Sequence, residues 1–193
     1  MHDHYTDPLY LTCVVLWIAL WAYWLASMRG QKAQKATESR GERLQQILPM
    51  VVVYTLLFSP AASIGWLGRR LWAESMAIER VGVAIAAFGI AFAIWARHHL
   101  GANWSARVSI RADHELIRTG PYRAIRHPIY TGMLLGAFGT AIVIGEVRGL
   151  VALAVMATAF YFKASKEERW LAREFGPRFD EHRKHTGMFL PGI

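Results

Sequence analysis

Apolar residues gather in stretches that carry almost no charge: Leu9 to Met28, Ile47 to Leu67, Ala77 to Ala96, Ile129 to Ile144 and Gly149 to Phe162. A helix needs about 20 apolar residues to cross the hydrocarbon of a bilayer, and somewhat shorter runs are tolerated. The first three stretches predict membrane spans. The last two are short and joined by Gly145-Glu146-Val147-Arg148, which predicts a tight hairpin that crosses and returns, or a re-entrant pair that only dips into the bilayer. Between the first two spans, 29–46 reads as a solvated loop, because Gln31 to Glu42 is rich in Lys, Gln, Ala and Glu without an apolar stripe. From Arg97 to His127 the chain leaves the membrane through Gly101-Ala102-Asn103-Trp104-Ser105, and irregular backbone with extended turns is expected. After Phe162 the pattern becomes a charged amphipathic helix, Lys163 to Phe175, stopped by Gly176-Pro177 and followed by a short helix, Arg178 to His185.

This pattern predicts an all-α integral membrane protein with about five transmembrane helices, a C-terminal helical hairpin and polar cytoplasmic segments. Residues 1–96 read as an N-terminal three-helix part and 97–193 as a C-terminal part, together one structural unit. Composition agrees: 54% of the 193 residues are hydrophobic and eight are tryptophan, too much for an ordinary soluble domain. The first stretch follows Asp3 and Asp7 where a signal peptide would have a basic region, so it reads as a retained helix. Cys13 is the sole cysteine and lies inside that helix, which leaves no disulfide and no cysteine metal site within one chain.

A net charge of +8 would point to nucleic acid in a soluble protein, but here the cations follow membrane topology. Arg29, Lys32, Lys35, Arg40 and Arg43 fill the first loop, Arg97 to Arg126 holds six arginines, and the tail after Phe162 carries seven more cations. The opposite side has only Arg69, Arg70, Arg80 and Arg148, so the N-terminus is expected outside and the polar segments in the cytoplasm. No nucleic-acid partner is expected; membrane lipids are.

Two clusters carry candidate chemistry. In Gly120-Pro121-Tyr122-Arg123-Ala124-Ile125-Arg126-His127-Pro128-Ile129-Tyr130-Thr131-Gly132, Pro128 fits the first turn of a helix and disfavours helical backbone at His127. A helix is expected to start there, with free N–H groups suited to the anionic part of a ligand. The second cluster, Lys163-Ala164-Ser165-Lys166-Glu167-Glu168, puts Lys163 and Glu167 on one helix face. It reads either as a weak surface ion pair or as a carboxylate for a ligand ammonium beside a cation for a ligand anion. His98-His99 and His182/His185 show no metal-binding pattern, so no metal is expected. Gly132-x-x-x-Gly136 permits close helix packing and is read as supporting the hairpin. No Gly-x-Gly occurs, which removes the usual dinucleotide fingerprint.

Taken together, Asn103-Trp104-Ser105, His114-Glu115-Leu116, Gly120-Pro121-Tyr122, Arg126-His127-Pro128-Ile129-Tyr130-Thr131-Gly132, Glu167-Glu168, Phe175-Gly176 and Pro191 resemble the isoprenylcysteine carboxyl methyltransferase family, and the related phospholipid methyltransferases, over roughly 95–193. The resemblance implies S-adenosylmethionine as methyl donor, bound at the cytoplasmic face by the C-terminal part. It implies that His114, Leu116, Ile117 and Tyr122 line the adenosine, that His127, Pro128 and Tyr130 hold the donor at the helix start, and that Glu167, with Glu168, accepts its ammonium. Arg126 and Lys163 are the candidate catalytic cations. Lys163 stands where the carboxyl methyltransferases place an arginine, and a lysine cannot offer the bidentate fork that suits a carboxylate.

The expected acceptor is a lipophilic molecule, a carboxylate of isoprenylcysteine type, with a phospholipid or another lipophilic amine or thiol as alternative. Methyl transfer from a sulfonium is an in-line displacement, so alignment and exclusion of water are the main tasks. A membrane sterol-type reductase using NADPH resembles the chain around Arg-His-Pro-x-Tyr and the late Glu-Glu pair, but its usual asparagine after the proline is Ile129 here. A non-enzymatic membrane protein is the remaining alternative. The membrane would be the inner membrane in a prokaryote and the endoplasmic reticulum in a eukaryote.

Overall fold

Asp7-Pro8 opens the first helix: Asp7 Oδ1 accepts the Leu9 and Tyr10 N–H groups at 2.7 and 3.3 Å, and Pro8 takes the first helical position. The computed structural model describes residues 6–28, 40–101 and 116–192. They form α1 (Pro8–Met28), α2 (Arg40–Phe58), α3 (Met76–Leu100), α4 (Pro128–Ile144), α5 (Val147–Phe175) and α6 (Pro177–Lys184), with 3-10 turns at Pro60–Ala62 and Gly120–Arg123. Among them α1, α3 and α5 are long and apolar enough to cross a membrane; α4 and the apolar part of α2, Leu44–Phe58, are shorter.

Several sequence expectations shift. The second apolar stretch does not run helical to Leu67, because Ser59-Pro60 ends α2 at Phe58 and the chain turns through Pro60–Ala62. At its other end α2 begins at Arg40, inside the expected loop. The last apolar stretch and the amphipathic helix after it are one element, α5, since nothing between Phe162 and Lys163 breaks a helix. Its 29 residues extend about 43 Å, beyond the roughly 30 Å of bilayer hydrocarbon, so the change from apolar to charged sequence marks a change of surroundings along a continuous rod.

The hairpin corner is tied to the segment after α2. Gly145 adopts the left-handed conformation (φ 65°) that ends α4, and Val147 N–H and Arg148 N–H donate to the carbonyls of Arg69 and Leu67. Arg148, fully buried, donates Nε to Glu146 Oε2 at 2.6 Å and Nη1 to Leu56 O at 2.7 Å, closing the C-terminal end of α2.

The glycines of α4 face a different partner from the one expected. Cβ atoms placed at Gly132 and Gly89 would come within 2.5 Å of the Gly89 carbonyl and the Gly136 N atom respectively, and one at Gly82 within 2.8 Å of the Gly139 carbonyl. Gly132 and Gly139 therefore seat α4 against the Gly82, Ala86, Gly89 and Ala93 face of α3. Gly136 turns instead toward Trp17 of α1, whose Nε1 donates to Thr140 Oγ1 at 3.1 Å. The small-residue stripe packs α4 against α3 and α1, while Gly149 seats α5 against Ala141 of α4.

Candidate active site where α4 begins and α5 leaves the apolar layer

Pro128 occupies the first position of α4 and His127 its cap, as the sequence predicts. The preceding turn is held from below and behind. Gly120 has φ 56° with the His99 ring packed against it, His99 Nε2 is 2.9 Å from Thr119 Oγ1, and the buried Tyr122 donates its hydroxyl to Ala96 O at 3.4 Å. A strap from the C-terminal end lies along the other edge. Arg126 N–H and His127 N–H donate to the carbonyls of Gly187 and Met188 at 2.9 and 3.1 Å, and Thr131 Oγ1 donates to Phe189 O at 2.7 Å.

This frame aims Arg126, His127 and Tyr130 at α5. Tyr130 donates its hydroxyl to Glu167 Oε1 at 2.8 Å. The His127 ring stands between two carboxylates, with Nδ1 3.5 Å from Glu167 Oε2 and Nε2 3.3 Å from Glu168 Oε1. Arg126 donates Nε to Glu168 Oε1 at 2.7 Å and Nη1 to the Arg183 and Thr186 carbonyls. Rings stack behind these polar groups: His127 on Tyr130 at 5.5 Å and Tyr130 on Phe160 at 4.7 Å. Lys163 Nζ lies 5.6 Å from the centre of the Tyr130 ring, within cation–π range.

Burial alone would lower the His127 pKa, since it disfavours the charged ring. Hydrogen bonds and charges from Glu167 and Glu168 outweigh burial and hold it above the ordinary histidine value. When protonated, the imidazole presents one N–H to each carboxylate.

Of the residues singled out from sequence, Arg126, His127, Tyr130, Lys163, Glu167 and Glu168 converge, with Pro128 at the helix start beside them. Tyr122 sits one layer further in, within electrostatic reach of Glu167, and burial pushes its phenol pKa up. Leu116 and Ile117 are half-buried ahead of the Gly120–Arg123 turn, and Ile117 packs against the core. His114 and Asn103-Trp104-Ser105 lie outside the described residues. Sequence reasoning missed Phe160 and Phe189, which wall the cluster, and the Thr131 and Thr186 contacts with the strap. Phe160 had a legible signal: with Lys163 and Glu167 it shares one face of α5 by helical spacing.

A groove of about 740 Å³ runs between α1, α2 and α5, lined by Trp21, Gln46, Ile47, Met50, Val51, Tyr54, Phe58 and neighbouring polar residues, and Lys163 contributes to its wall. Along α2 the lining extends from Gln46 to Ser59, about 20 Å of helix.

The phospholipid methyltransferase family model matches residues 76–178, which takes in α3, the turn, α4 and the whole of α5. The chain belongs to this family. It is 32% identical over 88 residues to a probable protein-S-isoprenylcysteine O-methyltransferase of Oryza sativa subsp. indica, covering 45% of this chain and 46% of that one. It is 34% identical over 97 residues to the nickel-cobalt-cadmium resistance protein NccN of Alcaligenes xylosoxydans xylosoxydans, covering 49% of this chain and 45% of that one. These matches span about half the length of the curated relatives. A solved structure of the eukaryotic intramembrane Ras methyltransferase, isoprenylcysteine carboxyl methyltransferase, superposes with a TM-score of 0.58 at 21% identity, covering 97% of this chain and 69% of that one. The family member described here is thus an all-α integral membrane protein with that fold.

Proposed function

We propose that this chain transfers a methyl group from S-adenosylmethionine to a lipophilic acceptor in the membrane, a carboxylate of isoprenylcysteine type. The observation that carries the reading is Lys163, which lies beside the paired-carboxylate cluster and also lines a largely apolar groove between α1, α2 and α5. The relatives named as protein-S-isoprenylcysteine O-methyltransferases support the same reaction class.

The residues fit the donor's amino-acid end. Glu167 offers acceptor oxygens to an ammonium, and the first N–H groups of α4 have no partners within the helix and suit a carboxylate. The Tyr130 and Phe160 rings give the cluster an apolar back wall. When bound, S-adenosylmethionine supplies an electrophilic methyl on a sulfonium. The chain's own residues position: Tyr130 orients Glu167, and Arg126 fixes Glu168 and the strap, so we assign Arg126 as a positioning residue. Lys163 reaches from α5 to the end of the groove, where it can hold an acceptor's anionic head. A carboxylate acceptor needs no general base, and no side chain has to be assigned that task.

The resemblance further implies that His114, Leu116, Ile117 and Tyr122 line the adenosine, with the N-terminus outside and the site facing the cytoplasm. A second reading, methylation of a phospholipid headgroup amine, is favoured by the family's description and by Lys163, a point charge that suits a phosphodiester. Calorimetric titration of detergent-purified protein with S-adenosylmethionine and with NADPH tests the first step. Affinity for the former and none for the latter is expected; NADPH binding alone would return the chain to the reductase reading. A methylation assay offering an S-prenyl thioether carboxylate and a phosphatidylethanolamine separates the two acceptors.

A further inference from the structure

The acidic pair looks duplicated, yet its two members do different work. Glu168 is held by Arg126 at 2.7 Å, with both side chains about one-tenth exposed, and Arg126 is in turn fixed by the Arg183 and Thr186 carbonyls. Glu167 feels Lys163 one turn earlier on α5, but among the described residues no lysine or arginine lies within ion-pair distance of its Oε2. What stands there is His127 Nδ1, at 3.5 Å, while Nε2 of the same ring stays 3.3 Å from Glu168. Arg126, Lys163, His127, Glu167 and Glu168 together carry one net positive charge when the imidazole is protonated and none when it is neutral, so an ammonium arriving at Glu167 favours the neutral ring.

We infer that His127 is a stand-in for the ligand: it occupies Glu167 until the donor's ammonium arrives, and gives up its Nδ1 proton to solvent when the ammonium takes that place. This rests on the methyltransferase reading above. The ring that remains keeps one N–H, on Nε2, still donating to Glu168, so it stays stacked on Tyr130 as a neutral wall of the site. The groups facing the ring fit this exchange from every side. Arg126 and Lys163 are cations that oppose a second positive charge nearby; Tyr130 holds Glu167 Oε1 and leaves Oε2 for exchange; Phe189 on the strap is apolar and compensates nothing. His182 on α6 is pushed toward its neutral form, by burial first and then by Arg118, Arg126 and His185.

The test uses the whole protein in detergent, titrated calorimetrically with S-adenosylmethionine at about pH 6–7, where the donor's own amine stays protonated. Running it in phosphate and in imidazole buffer, which differ in ionisation heat, reads the protons exchanged. Release approaching about one proton per donor bound is expected, with affinity rising up to about tenfold per pH unit below the His127 titration. 5′-Methylthioadenosine, which lacks the amino-acid tail, should bind without release, and His127→Gln should bind S-adenosylmethionine with none. Identical enthalpies in the two buffers, equal release by 5′-methylthioadenosine, or release that persists in His127→Gln overturns the inference while leaving the methyltransferase reading standing. Absence of binding by S-adenosylmethionine overturns both.

Discussion

Replacing Glu167 by glutamine removes one charge and keeps the shape, so it isolates the electrostatic part of the site. The amide oxygen still accepts the Tyr130 hydroxyl, which lies 2.8 Å from Oε1, and the stack of His127, Tyr130 and Phe160 loses no atom. On the proposed function, what disappears is a charge-assisted hydrogen bond to the donor's ammonium, worth about 1.5–3 kcal/mol, or roughly 10- to 150-fold in Kd. Glu168→Gln is the internal control. Its carboxylate belongs to Arg126, with side chains 10% and 11% exposed, so the loss falls on folding. The low end of the about 3–5 kcal/mol for breaking a buried pair applies, because glutamine can still accept one bond, and a fall in Tm of about 6–12 °C follows. Calorimetry with S-adenosylmethionine and thermal unfolding in the same detergent read the two quantities side by side. Equal loss of affinity in both variants with unchanged melting would refute the division of labour, and an unchanged Kd in Glu167→Gln would refute the ammonium site itself.

Other consequences are as direct. Gly132→Ala and Gly89→Ala should lower the Tm markedly, because the added Cβ meets backbone at 2.5 Å, whereas Gly136→Ala, whose nearest neighbour is a Trp17 ring carbon at 3.2 Å, should cost less; melting of the three variants ranks them. Arg148→Ala should destabilise by about 3–5 kcal/mol by stranding Glu146 and the Leu56 carbonyl, and Arg148→Ala with Glu146→Leu should recover part of that loss. Met50→Trp narrows the groove between α1, α2 and α5, so KM for a long-chain acceptor should rise while the Kd for S-adenosylmethionine stays put. The pKa of His127 is raised in the folded chain, so its stabilising contribution is full below the unfolded value of about 6.5 and fades as pH climbs through the folded one; the unliganded protein should melt lower across that window, and His127→Gln should flatten the profile.

The relation between the expected and observed elements turns on local versus distant causes. Pro128 at the head of α4, Gly145 at its end and Gly176 after α5 appear where their backbone chemistry demands, since a ring-locked φ and a missing Cβ act on neighbouring residues alone. The Ser59-Pro60 stop was equally local, but hydrophobic continuity to Leu67 masked it. Composition likewise made one helix look like two at Phe162. A helix ladder depends on backbone geometry, and polarity reports only what surrounds it.

Residue order by itself located the apolar segments of α1 to α5, the start of α4 and six of the side chains that converge there, because apolar length, proline geometry and helical spacing are properties of short segments. Only the tertiary structure decided that the glycines of α4 face α3 and α1, that Glu168 is bound to Arg126 while Glu167 faces His127, and that Lys163 lies both beside the cluster and in the wall of a groove between α1, α2 and α5. Those are statements about which surfaces of separate helices meet. No periodicity within one helix specifies the rotation of another against it; the close approach of backbones at paired glycines does.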